Sequence, residues 1–344
     1  MSVPVAISGA QVLTDEVVHE RIHADREVRL RRQTLRVGGE AENPPLAIER
    51  TTLPEGPRRP PVILVHGFAQ NRYTWRLSKR SLSGHLAEAG YDVLNLELRG
   101  HGNSRAYGSG NARNFGEYVS DLVRVIEGCE RPPFVIGHSL GGGVGVGAVT
   151  EAKVAGLVHI AGVFGFASQN RVIRTAARAS VKAADALRLR GLRMSTGPAG
   201  RLVGRLYGLA DATGYGFPLS GWAPGSIEQD LVEERLELGM DWTSAEVWLQ
   251  MCRWALGEPF EYADAFRENR TPLLVIAGSA DPLLHPHDAR RCYDGSGSPD
   301  RTFIVFDPFE HEVHWGHLDL LIGRRAPDIV WPQILGWLNE RSGA

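Results

Sequence analysis

The chain of 344 residues has little cysteine, little net charge and no long apolar run. Its three cysteines, Cys129, Cys252 and Cys292, lie far apart, which excludes a disulfide framework or a metal-knuckle pattern and suits a reducing compartment. A formal net charge of -2 provides no basic field that would attract nucleic acid. Because no run approaches about eighteen apolar residues, we expect no integral membrane segment.

The N-terminal region is charged and carries few structural signals. Acidic residues enter at Asp15 and Glu16 without a basic start and an apolar run, so we expect no secretory signal and a cytoplasmic location. The basic stretches Arg29 to Arg36 and Arg171 to Arg193 are interpreted as solvated helix faces. Residues 1–45 are treated as an extension of unassigned role, although apolar alternation on both sides of residues 40–45 suggests a β-hairpin.

Short apolar runs alternate with helical patterns through most of the remaining chain. Runs that read as buried strands occupy residues 61–68, 91–102, 132–139, 154–163, 271–282 and 301–308. Helical spacing occurs at residues 72–89, 115–127, 140–150 and 329–339. Strands that are apolar on both faces and alternate with helices predict an α/β fold, in which a mostly parallel sheet is covered by helices on both faces.

The alternation stops between residues 164 and 269, where no clear strand is visible. A structureless loop of that length is implausible, so the stretch predicts a helical lid over the sheet, inserted before the strand that carries the acid. The predicted core is therefore residues 1–163 and 270–344. The lid contains Trp222, Trp242 and Trp248, which could line a substrate pocket or simply pack the lid onto the core.

A nucleophile motif stands where the third of these strands meets a helix. Gly137-His138-Ser139-Leu140-Gly141 matches a tight strand-to-helix turn that exposes a serine hydroxyl. The turn leaves no room for side chains at its two glycines. The alternative is a glycine-rich turn needed only for close packing. His138 is interpreted as structural, because its side chain should point away from the hydroxyl.

A serine nucleophile needs a base and an acid that orients the base. The expected chain order is serine, then a carboxylate, then histidine. Asp281 follows the strand after the lid and is the preferred acid, with Asp307, at the end of the next strand, as its rival. Of three clustered histidines, His317 is preferred because it follows a glycine and precedes an apolar helical stretch; His314 and His311 come second and third.

Two other site predictions follow from these motifs. The N–H groups of Phe68 and Leu140 would hold an oxyanion, since one follows an early strand and the other follows the nucleophile. A metal site built from the three histidines is disfavoured, because their spacing is one residue short of the zinc-protease motif and no further ligand set completes it. We therefore predict no metal and no cofactor.

The motifs together resemble the α/β-hydrolase superfamily, in its lipase, esterase and serine-aminopeptidase-like branch. The resemblance covers residues from about 45 to 341 and is carried by 62–75, 94–104, 135–143, 275–286 and 315–338. It implies that the histidine of the His-Leu-Asp step, here His317, is catalytic. Epoxide hydrolases and haloalkane dehalogenases of this fold use an aspartate nucleophile, whereas position 139 is serine. The polyhydroxyalkanoate synthases, which are less similar, use cysteine.

The sequence thus predicts a serine hydrolase that cleaves a carboxylic ester through an acyl-enzyme. Its partner would be a small-molecule ester with an apolar part, with no nucleic-acid partner; the oligomeric state is left open. An acyltransferase or thioesterase using the same site is the first alternative, and an amide-cleaving peptidase is next. A non-catalytic binding protein on this fold is a further alternative, although such proteins usually lack a triad member.

Overall fold

The sheet that organises the molecule is mostly parallel. The computed structural model describes residues 7–39, 43–187, 193–195 and 221–343. Nine strands form the main sheet, namely β1 Gln11–His23, β2 Arg26–Val37, β3 Leu46–Thr52, β4 Pro61–Val65, β7 Asp92–Glu97, β8 Phe134–His138, β9 Gly156–Ile160, β12 Leu273–Gly278 and β13 Arg301–Phe306. Their order in the sheet is β1-β2-β3-β7-β4-β8-β9-β12-β13. The strands from β7 to β13 in this order run parallel, and β1, β2 and β3 add antiparallel at one edge. The predicted α/β class with a mostly parallel sheet is confirmed.

Strands β4, β7, β8, β9, β12 and β13 coincide with the six apolar runs of the sequence. Every residue of β4, β8, β9 and β12 is buried, as expected for central strands covered on both faces. Two small antiparallel sheets pair β5 Arg76–Leu77 with β6 Arg80–Ser81, and β10 Arg193–Ser195 with β11 Trp242–Ser244.

The helices pack on the sheet or lie beyond its carboxyl edge. They are α1 Leu82–Glu88, α2 Gly102–Ala106, α3 Gly116–Gly128, α4 Leu140–Glu151, α5 Arg171–Leu187, α6 Gln229–Leu238, α7 Ala245–Ala255, α8 Ala263–Glu268, α9 Pro286–Gly295, α10 Asp319–Ile322 and α11 Ala326–Arg341. No helix within the described ranges combines the length and the apolar character that crossing a bilayer requires.

The N-terminal region differs from its prediction. The interpretation of Arg29 to Arg36 as a helix face is wrong, because these residues lie in β2. Leu30 and Leu35 are buried against the core, while Arg31 and Arg32 pair with acidic residues of β1. The hairpin predicted around residues 40–45 is confirmed by the pairing of β2 with β3. The N-terminal extension therefore supplies two strands of the main sheet.

Two predicted segments are also subdivided. Residues 72–89 form a single 3₁₀ turn at Arg72–Thr74, two short strands and α1, because the Ser81 side chain accepts the Gly84 N–H and so starts the helix there. The stretch predicted to lack strands contains β10 and β11. Residues 188–192 and 196–220 of the predicted lid lie outside the described residues.

The parallel strands place the candidate site residues at one edge of the sheet. Ser139 directly follows β8, Asp281 comes three residues after β12, and His317 lies in the loop after β13. Since the carboxyl ends of parallel strands meet at the same edge of a sheet, these three side chains share one edge with the loop that follows β4.

Candidate active site

Ser139 occupies a strained turn between β8 and α4. Its φ of +57° and ψ of -123° lie outside the regions that a serine normally adopts. A Cβ at Gly137 would overlap the backbone of Gly141, and one at Gly141 would overlap the carbonyl group of Val65. The steric reason given for both glycines is thereby confirmed. The surrounding backbone holds the turn, because the Ser139 carbonyl accepts the N–H groups of Gly142 and Val163 at 3.0 and 2.9 Å.

The loop after β4 lies directly against this serine. A Cβ at Gly67 would lie 3.0 Å from the Ser139 Cβ, so the loop approaches as closely as a glycine allows. Leu140 is the first residue of α4 and its N–H therefore has no acceptor within the helix. No acceptor for the Phe68 N–H is seen among the described residues. Both proposed oxyanion donors thus belong to backbone segments that flank Ser139.

His317 and Asp281 form a buried pair. The Nδ1–H of His317 donates to Asp281 Oδ2 at 2.7 Å, and both side chains are almost completely buried. The other carboxylate oxygen of Asp281 accepts the N–H groups of Leu283 and Leu284 at 2.8 and 2.9 Å. These bonds fix the carboxylate, and the carboxylate in turn leaves Nε2 of His317 as the unprotonated nitrogen that can accept a proton.

The rival residues lie in other surroundings. Asp307 accepts the N–H groups of Phe309 and Glu310 at 2.8 and 3.0 Å, so it closes a turn, and the backbone N–H of Glu310 lowers the pKa of its carboxyl. The His311 ring packs on Phe306 with centroids 4.6 Å apart. His314 is exposed and borders a cavity behind the loop.

His138 and His66 serve as neutral structural donors. The Nε2–H of His138 donates to the carbonyl oxygen of His317 at 3.1 Å, with the two rings 4.5 Å apart. The His66 Nδ1–H donates to the Gly67 carbonyl at 2.9 Å, and its Nε2 accepts the Leu98 N–H at 3.2 Å. Burial, with nearby His317 or His101, lowers the pKa of both imidazoles well below the ordinary value, so both are neutral.

Residues 221–241 of the predicted lid are hydrogen-bonded to both site loops. At one end, the Gly221 carbonyl accepts the N–H groups of His317 and Leu318, each at 2.7 Å. At the other end, the Asp241 N–H donates to the Ala69 carbonyl at 2.8 Å, next to a β-bridge between Gln70 and Met240. This part of the predicted lid therefore contacts two loops directly. One is the loop that carries His317, here called the base loop after the predicted role of His317, and the other is the loop after β4, here called the oxyanion loop after the predicted role of Phe68.

The three tryptophans suggested for the pocket have different surroundings. The Trp248 ring lies 5.8 Å from the Phe68 ring, and its indole N–H donates to the Ser180 hydroxyl at 3.3 Å. Trp222 is buried directly behind the loop that carries His317. Trp242 is 43% exposed, and its backbone N–H donates to Asp241 at 2.7 Å. Of the three, Trp248 is the one in contact with the oxyanion loop.

Sequence reasoning missed several residues that hold this site. Gly221 and Asp241 bind the site loops with a backbone carbonyl and a backbone N–H, and the Asp319 carboxylate accepts backbone N–H groups. Contacts with backbone groups leave no side-chain motif in the sequence. The donation from His138 to the His317 carbonyl depends on tertiary contact, although the histidine itself stands inside the nucleophile motif. In the part of the chain that the structure describes, no three histidine, cysteine or acidic residues are grouped to hold a metal ion.

A family comparison agrees with this geometry. The model of the alpha/beta hydrolase family matches residues 62–327, which include Ser139, Asp281 and His317. The chain belongs to the α/β-hydrolase family. Among solved structures, this α/β hydrolase is similar to the monoacylglycerol lipase of Paleococcus ferrophilus, with a TM-score of 0.60, 20% identity, and 86% of this chain and 99% of that chain covered.

Two further relatives extend the comparison. A soluble variant of monoglyceride lipase from Saccharomyces cerevisiae, solved with a substrate analog, gives a TM-score of 0.62 at 13% identity and covers 90% of this chain and 95% of that chain. Epoxide hydrolase B of Mycobacterium tuberculosis is 38% identical over 90 residues, which are 26% of this chain and 24% of that protein. The match to this chain thus spans about a quarter of the length of such curated relatives. The likeness to the two lipases shows the shared fold.

Proposed function

We propose that this α/β hydrolase cleaves a carboxylic ester through an acyl-enzyme on Ser139. The observation that carries the proposal is the buried His317–Asp281 pair, which is bonded at 2.7 Å and is held next to the strained serine turn by the hydrogen bond from His138 to the His317 carbonyl. A serine in such a turn needs a neighbouring base to become nucleophilic, and a carboxylate on Nδ1 holds that base in the accepting tautomer.

The proposed reaction has two steps. Ser139 Oγ attacks the ester carbonyl while Nε2 of His317 takes its proton, and the N–H groups of Phe68 and Leu140 stabilise the oxyanion. One such donor is typically worth about 3 kcal/mol in the transition state. The alcohol leaves with the proton from His317. Water then attacks the acyl-enzyme by the same route, which releases the acid and restores Ser139.

The substrate is proposed to be a small ester with an apolar part. Trp248, whose ring lies 5.8 Å from that of Phe68, supports an apolar surface beside the oxyanion loop. The similarity to two monoacylglycerol lipases agrees with this substrate class. The similarity to an epoxide hydrolase is outweighed by position 139, where a serine stands instead of the aspartate nucleophile that epoxide hydrolases of this fold use.

The proposal is tested by labelling and hydrolysis. Wild type should react with a fluorophosphonate probe, with the adduct located on Ser139 by mass spectrometry, and should hydrolyse a p-nitrophenyl ester. Ser139→Ala and His317→Ala should each lower kcat by about 10⁴-fold or more, because either change removes the nucleophile–base unit. The exposed His314 provides the matched control, and His314→Ala should keep turnover near the wild-type rate.

Other outcomes would redirect the assignment. Equal hydrolysis by Ser139→Ala and wild type, at equal melting temperature, would remove Ser139 from the reaction. A folded wild type that is not labelled at Ser139 and hydrolyses no ester, thioester or amide would indicate a binding protein. Faster product formation on addition of an alcohol, with transfer of the acyl group to it, would favour an acyltransferase that uses the same acyl-enzyme.

A further inference from the structure

A buried carboxylate lies two residues after the proposed base. Asp319 begins α10 and is 1% exposed. Its Oδ1 accepts the Gly316 N–H at 2.6 Å, and its Oδ2 accepts the Ala223 N–H at 2.8 Å and the Ser226 hydroxyl at 2.9 Å. The proposed mechanism assigns no role to this carboxylate, which is nevertheless fully hydrogen-bonded inside the protein.

These bonds join the base loop to another part of the chain. Gly316 immediately precedes His317, whereas Ala223 and Ser226 belong to residues 221–226. The same two segments are joined on either side of Asp319, by the bonds from His317 and Leu318 to the Gly221 carbonyl and by the bond from the Arg324 N–H to the Ser226 carbonyl at 2.8 Å. Asp319 therefore lies in the middle of a continuous set of hydrogen bonds between the two segments.

The two segments are in close contact at Gly316. A Cβ at Gly316 would lie 3.0 Å from the Gly221 carbonyl oxygen and from the Trp222 Cα. A movement of residues 221–226 would therefore move the backbone on which His317 stands. We propose that Asp319 is a positioning residue that holds residues 221–226 against the base loop and so keeps His317 directed at Ser139; this role rests on the function proposed above.

The ionisation of Asp319 gives the proposal a second signature. Burial, with Asp281 adding repulsion, raises the pKa of Asp319 to about 6 against the three hydrogen bonds that lower it. Residues 221–226 bring no titratable side chain to Asp319. The other charged or titratable groups near it are Glu312, His314, Arg324 and Arg325, which border the same cavity of about 580 Å³ behind the loop.

The sign of the pH effect follows from this pKa. Above about pH 6 both oxygens are free to accept, and all three donors are satisfied. Below it, a proton on one oxygen sets a donor against the Gly316 or Ala223 N–H. The folded protein binds this proton more tightly than the unfolded chain does. The contribution of Asp319 to the free energy of unfolding therefore decreases as the pH rises from 3.8 to about 6. A positioning role predicts that activity increases as the pH rises over the same interval, whereas the contribution of Asp319 to stability decreases.

The test measures the activation of Ser139 directly. The rate of Ser139 labelling by a fluorophosphonate and kcat/KM for a p-nitrophenyl ester are followed from pH 5 to pH 8 in wild type and Asp319→Asn. Because the amide leaves one buried N–H without an acceptor, we expect Asp319→Asn to lower kcat and the labelling rate by about tenfold at pH 7.5 with KM nearly unchanged. In wild type the proton on Asp319 should contribute to the acid limb, and in the variant this contribution should be absent.

Matched variants keep the result interpretable. Glu312→Gln changes an exposed carboxylate on the same loop, paired with Arg325, and should keep wild-type rates and the wild-type acid limb. Ser226→Ala removes one hydrogen bond from Asp319 and should lower kcat by about two- to fivefold and shift the acid limb to higher pH, which gives a reading if Asp319→Asn does not fold.

The outcomes separate the two proposals. If wild type is not labelled at Ser139, the proposed function fails. If wild type is labelled, but a folded Asp319→Asn is labelled at the same rate with the same acid limb, the positioning role fails and the proposed function stands. If Asp319→Asn does not fold and Ser226→Ala matches wild type in rate and pH profile, the positioning role fails as well.

Discussion

At the scale of single residues, the donors around a carboxylate distinguish its role better than its position in the sequence does. Asp281 and Asp307 both follow strands at the same edge of the sheet and both precede a proline. Asp281 uses one oxygen for two backbone N–H groups and keeps the other for His317. Asp307 uses a single oxygen for the N–H groups of its own turn. Only Asp281 is therefore in a position to orient the proposed base.

This contrast gives a prediction for the two aspartates. Asp281→Asn should lower kcat by about 10³–10⁴-fold, because an amide no longer stabilises the charged imidazole and favours the wrong tautomer. Asp307→Asn should leave kcat within about threefold of wild type, since its turn lies outside the site and surface changes have small effects. Both are measured with one p-nitrophenyl ester at pH 7.5, on variants with matched melting curves. The reverse ranking would transfer the acid role to Asp307.

The residues of the site were predictable to the extent that strand ends and side-chain chemistry determine them. Ser139, Asp281 and His317 each follow a recognisable strand and carry groups that a hydrolase needs, so the pattern indicates them without coordinates. Asp319 and Asp241 bind backbone N–H groups of segments far away in the chain, and no side-chain pattern records such a contact. They become visible only when the fold brings the segments together.

At the scale of elements, the loop after β4 takes its shape from the segment before β11. Ala69 has a φ of +55°, and its carbonyl accepts the Asp241 N–H at 2.8 Å. The Asp241 carboxylate accepts the Gly102 N–H at 2.6 Å and the Trp242 N–H at 2.7 Å, and it pairs with Arg105. One residue thus joins the proposed oxyanion loop, α2 and β11.

We therefore expect Asp241→Asn to weaken both the fold and the reaction. Replacing one acceptor oxygen by an amide N–H leaves a buried donor unpaired, which costs about 1–3 kcal/mol. The melting temperature should fall, and kcat should fall with KM little changed, because the Phe68 N–H loses its fixed direction. Glu237→Gln, an exposed change on α6, is the control and should match wild type in both measurements. A variant that melts earlier but keeps the wild-type kcat would confine Asp241 to stability.

The elements that sequence reasoning misassigned share a physical cause. In β2 basic residues occupy positions between buried ones, and Arg31 and Arg32 pair with acidic residues of β1, a strand far less apolar than the central ones. Such charged alternation is hard to distinguish from a solvated helix face when the pairing strand is unknown. The single helix predicted over residues 72–89 was wrong for another reason. A cap at Ser81 divides a stretch whose apolar spacing alone resembles one helix.

At the scale of the whole molecule, β1 and β2 form an N-terminal hairpin, residues 11–37, that extends the sheet. Every residue of β3 is buried, and the pairing of β2 with β3 protects an edge that would otherwise be open. Arg50 of β3 reaches across this junction, donating to Gln33 of β2 at 3.0 Å and to Asp92 of β7 at 2.7 and 2.9 Å. The parallel strands that carry the site are thereby connected to the N-terminal strands through one buried network.

The contribution of the hairpin to stability can be measured by two matched truncations. Leu35, on β2, is wholly buried, and Leu35→Ala should lower the free energy of unfolding by about 2–5 kcal/mol, since the lost contacts leave a cavity. Val17, on β1, is 49% exposed, and Val17→Ala should change it by at most about 0.5 kcal/mol. Urea midpoints at constant slope provide the comparison, with kcat per folded molecule unchanged in both. If Leu35→Ala costs as little as Val17→Ala, the hairpin is an appendage whose loss the core tolerates, and residues 11–37 do not belong to the cooperative fold that supports the site.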